Sequence, residues 1–267
     1  MTKDERAELA KKHTEYMDRQ YKQFIDTSIK CAEILNYEDT SIKEVDLNKY
    51  NTSIELIDTG TIETVLKCKE DMPLSDSLVM LDFASYKNPG GGFIRGCTAQ
   101  DEMICASSNL YNIISDDKFM QGFYKQNREN LNAGAYSNRH IYVPMVVVED
   151  SENKWFTTVN VINCAAPNKS HAIRYNKYII PKLDEAMKSR IDQVLYSAYA
   201  HGDNVLILGA FGCGVFKNDP EFVAGVFMDL LTTKYKGVFK RVIFGIPNKE
   251  SKNYLAFEKV FESEDNT

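Results

Sequence analysis

Six short apolar runs, rich in β-branched residues and separated by stretches of helical period, constrain this chain more than any other feature. They span 53–58, 78–84, 141–148, 156–164, 205–210 and 241–246. Apolar residues recur every three or four positions over 100–114, 118–131, 180–200, 221–235 and 251–261, which predicts helices there. Asp219 followed by Pro220 marks one helix start, with Asp as N-cap and Pro in the first turn. A run such as VLILGA has no polar face, so its strand must be covered on both sides. The expected fold is therefore α/β, a three-layer α/β/α domain around a mixed central sheet. Residues 1–48 are expected to be an N-terminal helical extension and 49–267 the domain itself. Within the extension Leu9, His13, Met17, Tyr21, Phe24, Ile25, Ile29 and Ala32 form one apolar stripe, long enough to suggest two helices.

Several function classes are disfavoured at once. A net charge of −6 and no evident basic stripe weigh against a protein that binds nucleic acid by bulk electrostatics. A small phosphorylated ligand held by backbone amides suits an acidic surface equally well. The beginning MTKDERAELAKKH has no apolar core of a signal peptide. The longest mainly apolar stretch, 204–215, is too short for a bilayer, so no membrane and a cytoplasmic location are expected. Cysteines at 31, 68, 97, 105, 164 and 213 make no C-x-x-C pair, and the four histidines lack H-E-x-x-H spacing. Reduced thiols, no structural metal and no cofactor are expected.

Two glycine-rich loops carry the chemistry, and both follow predicted strands, where α/β sheets place their ligands. The first reads SYKNPGGGFIRGCTAQDEMICASSNLY. Gly90, Gly91 and Gly92 permit positive φ or close approach of a ligand to the backbone. Seven residues later Gln100, Asp101 and Glu102 open a helix. Acidic residues in a first turn complement the helix dipole, but that does not explain three glycines just upstream. The second loop reads GAFGCGVFKNDPE, and Gly209, Gly212 and Gly214 leave backbone N–H groups free to converge on an anion such as a diphosphate. It is neither a Walker A loop nor a G-x-G-x-x-G fingerprint. Cys213 lies within it, but no histidine is placed by sequence to activate a thiol there.

At these residues the chain resembles the microbial-type poly(ADP-ribose) glycohydrolases, a branch of the macrodomain superfamily. Their signature is a triple glycine, six to eight residues, then Gln-Glu-Glu; here it stands as GGG, seven residues and Gln100-Asp101-Glu102. LDFASYKNPGGG, LGAFGCGVFKNDPE and FKRVIFGI resemble the family's first strand and loop, diphosphate loop and last core strand. The resemblance covers roughly residues 50 to 262. It implies an enzyme acting on ADP-ribose or poly(ADP-ribose), and on ADP-ribosylated proteins as further partners. Glu102 falls on the catalytic glutamate; Asp101, which replaces a glutamate, falls on the residue that holds the ribose at the scissile bond. Gly90 to Gly92 fall on residues that face the distal ribose and diphosphate, and Asn88 and Gln100 are further ligand-binding candidates. Gly212, Cys213, Gly214, Val215 and Phe216 should wrap the diphosphate, with Phe216 against the ribose. Asp58 matches an acidic residue that accepts from the adenine amino group, and Phe257 is the aromatic chosen to stack on adenine.

The residues agree with that chemistry. Cleaving a ribose–ribose bond passes through an oxocarbenium-like state and needs a proton on the leaving oxygen. One positioned carboxylic acid can supply it, while a substrate phosphate orients the water. The alternatives are a hydrolase of mono-ADP-ribose adducts and a non-catalytic ADP-ribose reader, the latter having no need of Glu102. A pyrophosphatase-like or kinase-like enzyme lacks its metal-ligand cluster or P-loop lysine. A monomer without direct nucleic-acid binding is expected.

Overall fold

The computed structural model describes residues 1–150, 154–175 and 177–264. Seven strands form one sheet: β1 (Glu33–Leu35), β2 (Ser53–Ile57), β3 (Leu78–Phe83), β4 (His140–Asp150), β5 (Trp155–Cys164), β6 (Val205–Leu208) and β7 (Arg241–Gly245). Their spatial order is β1-β4-β5-β3-β6-β7-β2. The five from β5 to β2 run parallel, while β4 is antiparallel to both its neighbours, so the sheet is mixed.

Side chains alternate between two cores, as the period of two demands. On one face Leu81, Ile162, Leu208 and Phe244 pack with Met187, Val194 and Phe227 of the helices Ile180–Ala200 and Pro220–Thr232. On the other, Met80, Val161, Ile207 and Ile243 pack with Ile25 of α1 (Lys3–Cys31), Val65 of α2 (Thr61–Asp71) and Ile104 of α3 (Gln100–Ala106). This is the three-layer α/β/α arrangement read from the sequence. Val205–Leu208 is buried throughout, as its lack of a polar face required. Asp219 caps the helix that Pro220 opens, its side chain accepting from the Glu221 N–H.

Tertiary contacts alter the local pattern in four places. The predicted helix over 100–114 is two, α3 and Leu110–Ile114, because Ser108 leaves the helix to bridge Val148, and Asn109 Oδ1 accepts from the Val147 N–H at 3.0 Å. The stretch 118–131 holds a π-helical turn, Met120–Lys125, between two short α segments. Helix α2 was not expected, and residues 1–48 contain a strand besides their helix: β1 pairs with β4 at the sheet edge. In α1 the break expected between two helices is a kink at Tyr21, with φ −122° and ψ 25°.

Helix α1 also reaches the first glycine loop. Arg6 Nε donates to the Gly96 carbonyl at 2.8 Å, and a Cβ on Gly96 would lie 2.1 Å from the Lys3 carbonyl oxygen. The segment between triple glycine and Gln100 is thus clamped from outside the loop.

Candidate active site

A cleft of about 1010 Å³ opens at the carboxyl ends of β2, β3, β6 and β7. The loops after these strands line it, and together they bring Asp58, Gly91, Gln100, Asp101, Glu102, Gly212, Gly214, Val215 and Phe216 onto one wall system. Asn88, Gly90, Gly92 and Cys213, also expected to bind the ligand, are not among the residues that line it.

At one end lie the carboxyl groups. Glu102 is buried, its Oε1 accepting from the Gly92 N–H at 2.8 Å and its Oε2 from the Ala99 N–H at 2.9 Å. The second contact is an ordinary helix-start cap. The first is not, and it needs the turn that Gly90 (φ +55°) and Gly91 (φ +56°) make. A Cβ on Gly91 would sit 2.7 Å from Glu102 Oε1 and 3.1 Å from Asp101 Oδ2. The middle glycine is therefore a requirement of the two carboxylates. Gly90 has a packing reason, since its Cβ would meet the Cys105 thiol at 2.8 Å. Gly92 abuts Cys97 and supplies the amide to Glu102. The Asn88 carbonyl accepts from the Gly91 N–H, closing the turn.

Gln100 ties α3 to the sheet. Its Oε1 accepts from the Phe83 N–H at 2.8 Å, and its Nε2 donates to the Leu81 carbonyl at 2.9 Å and to Thr61 Oγ1 at 3.1 Å. The amide thus brackets residue 82 on β3. Asp101 is held by the Ser85 N–H, 2.9 Å from its Oδ2.

Asp82, which sequence reasoning passed over, completes the cluster. It is fully buried, opposite Asn163 in the β3–β5 register, and its Oδ2 accepts from Asn163 Nδ2 at 2.5 Å. Its Oδ1 has no hydrogen-bond partner. Among the described residues no Lys or Arg pairs with Asp82, Asp101 or Glu102. Burial first, and then the charge of Asp82, lifts Asp101 well above the usual carboxylate range. Burial likewise pushes Asp82 up to about 7, with the charge of Glu102 adding to it. A signal was available in the sequence: an acid in the apolar run SLVMLDFA must be protonated or partnered.

The second glycine loop lines the middle of the cleft. The N–H groups of Phe211, Cys213, Lys217 and Asn218 close turns within it. Those of Gly212, Gly214, Val215 and Phe216 take no partner among the described residues, which leaves four amides for an anion. Gly212 (φ +71°) is fixed by packing, since its Cβ would lie 2.5 Å from that of Ala166, whereas Gly214 faces open space. The Cys213 thiol donates to the Phe211 carbonyl, and burial pushes it up to about 12, which makes it a poor nucleophile.

At the far end Asp58 Oδ1 accepts from the Asn248 N–H at 2.6 Å, with Ile62, Ile246 and Pro247 nearby on the wall. Phe257 is not there. It is completely buried in the helix-to-sheet core against Phe244 and Phe261, so the expectation that it stacks on adenine is corrected. Helical spacing cannot distinguish a core phenylalanine from one that faces a ligand.

Residues 3–149 match the family described as microbial-type PARG, catalytic domain. The chain belongs to this family of poly(ADP-ribose) glycohydrolases. It is therefore a glycosidase of that class, and its fold matches that of bacterial poly(ADP-ribose) glycohydrolases. It is similar to the poly(ADP-ribose) glycohydrolase from Deinococcus radiodurans in complex with ADP-ribose, at 27% identity and TM-score 0.80 over 90% of this chain and 98% of that one. It is similar to the enzyme from Thermomonospora curvata, at 26% identity and TM-score 0.83 over 97% and 100%. The same enzyme bound to the inhibitor ADP-HPD gives 26% identity and TM-score 0.82 over 96% and 99%. No curated protein sequence matches the chain.

Proposed function

We propose that the cleft binds the terminal unit of poly(ADP-ribose) and cleaves its ribose–ribose bond with Glu102 as general acid, on a fold of the macrodomain superfamily. One observation carries the reading: Glu102 is fixed by the Gly92 amide beneath a glycine turn that a side chain at Gly91 would push against it. A helix cap alone needs no such turn. Glu102 gives its proton to the leaving ribose oxygen as the bond to the anomeric carbon breaks. Water then adds to the oxocarbenium-like carbon and returns a proton to Glu102. Asp101, anchored by Ser85, holds the distal ribose, and the amides of Gly212, Gly214, Val215 and Phe216 hold the diphosphate. A phosphate so held orients the water, which leaves one carboxyl group enough for both steps. Asp58 receives the adenine amino group with its free oxygen.

The four free amides also suit a reader that binds ADP-ribose without turnover. Glu102 favours the enzyme, since a reader needs no acid at the distal ribose. We place the enzyme in the cytoplasm as a monomer whose site lies within residues 49–267. Six unpaired cysteines accord with a reducing compartment, and among the described residues no helix is long and apolar enough to cross a membrane. Cell fractionation and light scattering test those two points.

The reading itself is tested by incubating the protein with poly(ADP-ribose) and with mono-ADP-ribosylated substrates of defined linkage. Release of free ADP-ribose from the polymer is expected. Release only from mono-adducts would reassign the substrate, and binding without release would make the protein a reader.

A further inference from the structure

We propose that the exposed side chains of Lys169–Tyr175 and of residues 177–182 form a second binding surface for poly(ADP-ribose), one that grips the units on the leaving-group side of the cleft. The inference rests on the reading that the cleft cleaves ribose–ribose bonds. The segment carries Lys169, Arg174, Lys177 and Lys182, with no Asp or Glu from 168 to 183, in a chain whose net charge is −6. It is too short to register as a basic stripe in the sequence. Lys169 is partly neutralised by Asp184 at 3.5 Å, whereas no ion pair among the described residues involves the other three.

Its large hydrophobic side chains, two of them aromatic, are unusually open. Tyr178 is 97% exposed, Tyr175 69% and Ile173 43%, although a chain of this size has ample core in which to bury them. The Arg174 guanidinium lies 5.9 Å from the Tyr175 ring centroid, and His171 lies 4.7 Å from the same ring. Cations interleaved with exposed aromatic faces are the chemistry that holds a strand of phosphates and nucleobases. Poly(ADP-ribose) has both, a diphosphate and an adenine in each unit.

Contacts tie this surface to the cleft, and the segment follows β5, the neighbour of β3 on the side away from β2. The Ser170 N–H donates to the Phe216 carbonyl at 2.9 Å. Asn168 donates from its backbone N–H to the Gly134 carbonyl at 2.7 Å and from Nδ2 to the Tyr136 hydroxyl at 3.3 Å. Tyr136 stacks on Tyr86 at 4.1 Å, and Tyr86 follows Ser85, whose N–H holds Asp101. The chain of contacts from Asp101 to Ser170 is therefore short. Arg190, buried without a carboxylate, fastens it from below by donating to the carbonyls of Ala135 and Ala165 and to Asn138 Oδ1. Asp58 and Pro247, proposed for the adenine, follow β2 and β7, which lie on the opposite side of β3 from β5. A polymer with its last unit in the cleft must leave past the scissile ribose, and so toward this surface.

Three unpaired cations are too few to hold free nucleic acid tightly, but they act on a chain already tethered by its terminal unit. Competition by poly(A) RNA of matched length separates the two. The test compares wild type with the Arg174→Glu/Lys177→Glu/Tyr178→Ala variant, whose altered side chains are all exposed. Initial rates on long poly(ADP-ribose) are measured at about 50 and 200 mM salt, with calorimetry of free ADP-ribose alongside. The expected result is a rise of about tenfold in KM for the polymer at low salt, a shallower salt dependence, and unchanged kcat and ADP-ribose affinity. A KM within about twofold of wild type at both salts overturns the inference. So does inhibition of the wild type by poly(A) RNA as strong as by uncleavable ADP-ribose polymer. If the wild type releases no ADP-ribose from polymer, the underlying reading fails instead.

Discussion

The two ends of the cleft are built on opposite terms. At the scissile end almost every polar atom already has a protein partner: Glu102 takes two amides, Gln100 bridges Leu81 to Phe83, and Asp101 takes the Ser85 amide. Across the diphosphate loop the amides of Gly212, Gly214, Val215 and Phe216 are unpartnered, and beyond it Asp58 makes one contact beside apolar Ile246 and Pro247. The first end is preorganised, as catalysis of a charge-developing step requires, since its groups need not reorganise during reaction. The second is left for the ligand to satisfy. A substitution at the first end should therefore act on rate, and one in the diphosphate loop on affinity.

The largest effect that would break this contrast is at Gly91. An alanine there adopts an unfavourable positive φ and presses on both Glu102 and Asp101. Turnover of poly(ADP-ribose) is expected to fall about 10²-fold, while calorimetric affinity for ADP-ribose changes much less. Equal losses in both would show that the glycine serves binding alone.

Next in size is the diphosphate loop. Gly214→Val projects into open space, so melting temperature should hold while ADP-ribose affinity falls by about tenfold or more. Gly212→Val is expected to destabilise the fold itself, because its side chain would strike Ala166 and its φ is positive. Unchanged affinity in a folded Gly214→Val protein would remove the diphosphate from this loop.

A smaller effect concerns pH. Asp82 and Asp101 are both raised by burial, so the folded protein holds protons there that the unfolded chain releases near pH 4. Their contribution to stability is complete below that value; that of Asp82 is lost as pH rises through about 7, and that of Asp101 as pH rises through its own raised value. Melting temperature should therefore decline from about pH 5 to pH 8 in wild type and decline less in Asp82→Asn, which cannot ionise. Parallel curves for the two proteins would mean that Asp82 holds no such proton. Smallest of all, Phe257→Leu should cost about 1–2 kcal/mol of stability and leave ADP-ribose affinity alone, since that ring is in the core.

The same contrast governs what could be read before folding. Six of the seven strands, the helices over 180–200 and after Asp219, and both glycine loops were legible because apolar period and glycine clustering are local signals. Asp82 was passed over because its meaning depends on Asn163, which is distant in sequence and adjacent only through the β3–β5 register. The break in the helix over 100–114 comes from pairing of Ser108 with Val148, and β1 exists only by pairing with β4. Phe257 was misread because its helix is apolar on the face toward Phe244, and spacing cannot say what that face meets. Tyr136, which links the scissile end to the exposed Lys169 segment, carried no signal at all.

The central claim is that Glu102 is the proton donor and not merely a helix cap. Its most direct test is single-turnover cleavage of poly(ADP-ribose) by wild type and Glu102→Gln, with ADP-ribose affinity measured on the same samples. Glutamine keeps the size and can accept one of the two backbone N–H bonds, but its NH2 cannot accept the other and it cannot act as an acid. Turnover is expected to fall about 10²- to 10⁴-fold with little change in affinity. Near-normal turnover, with a stability change of only about 0.3–1 kcal/mol, would leave Glu102 as a complement to the helix dipole and contradict the account.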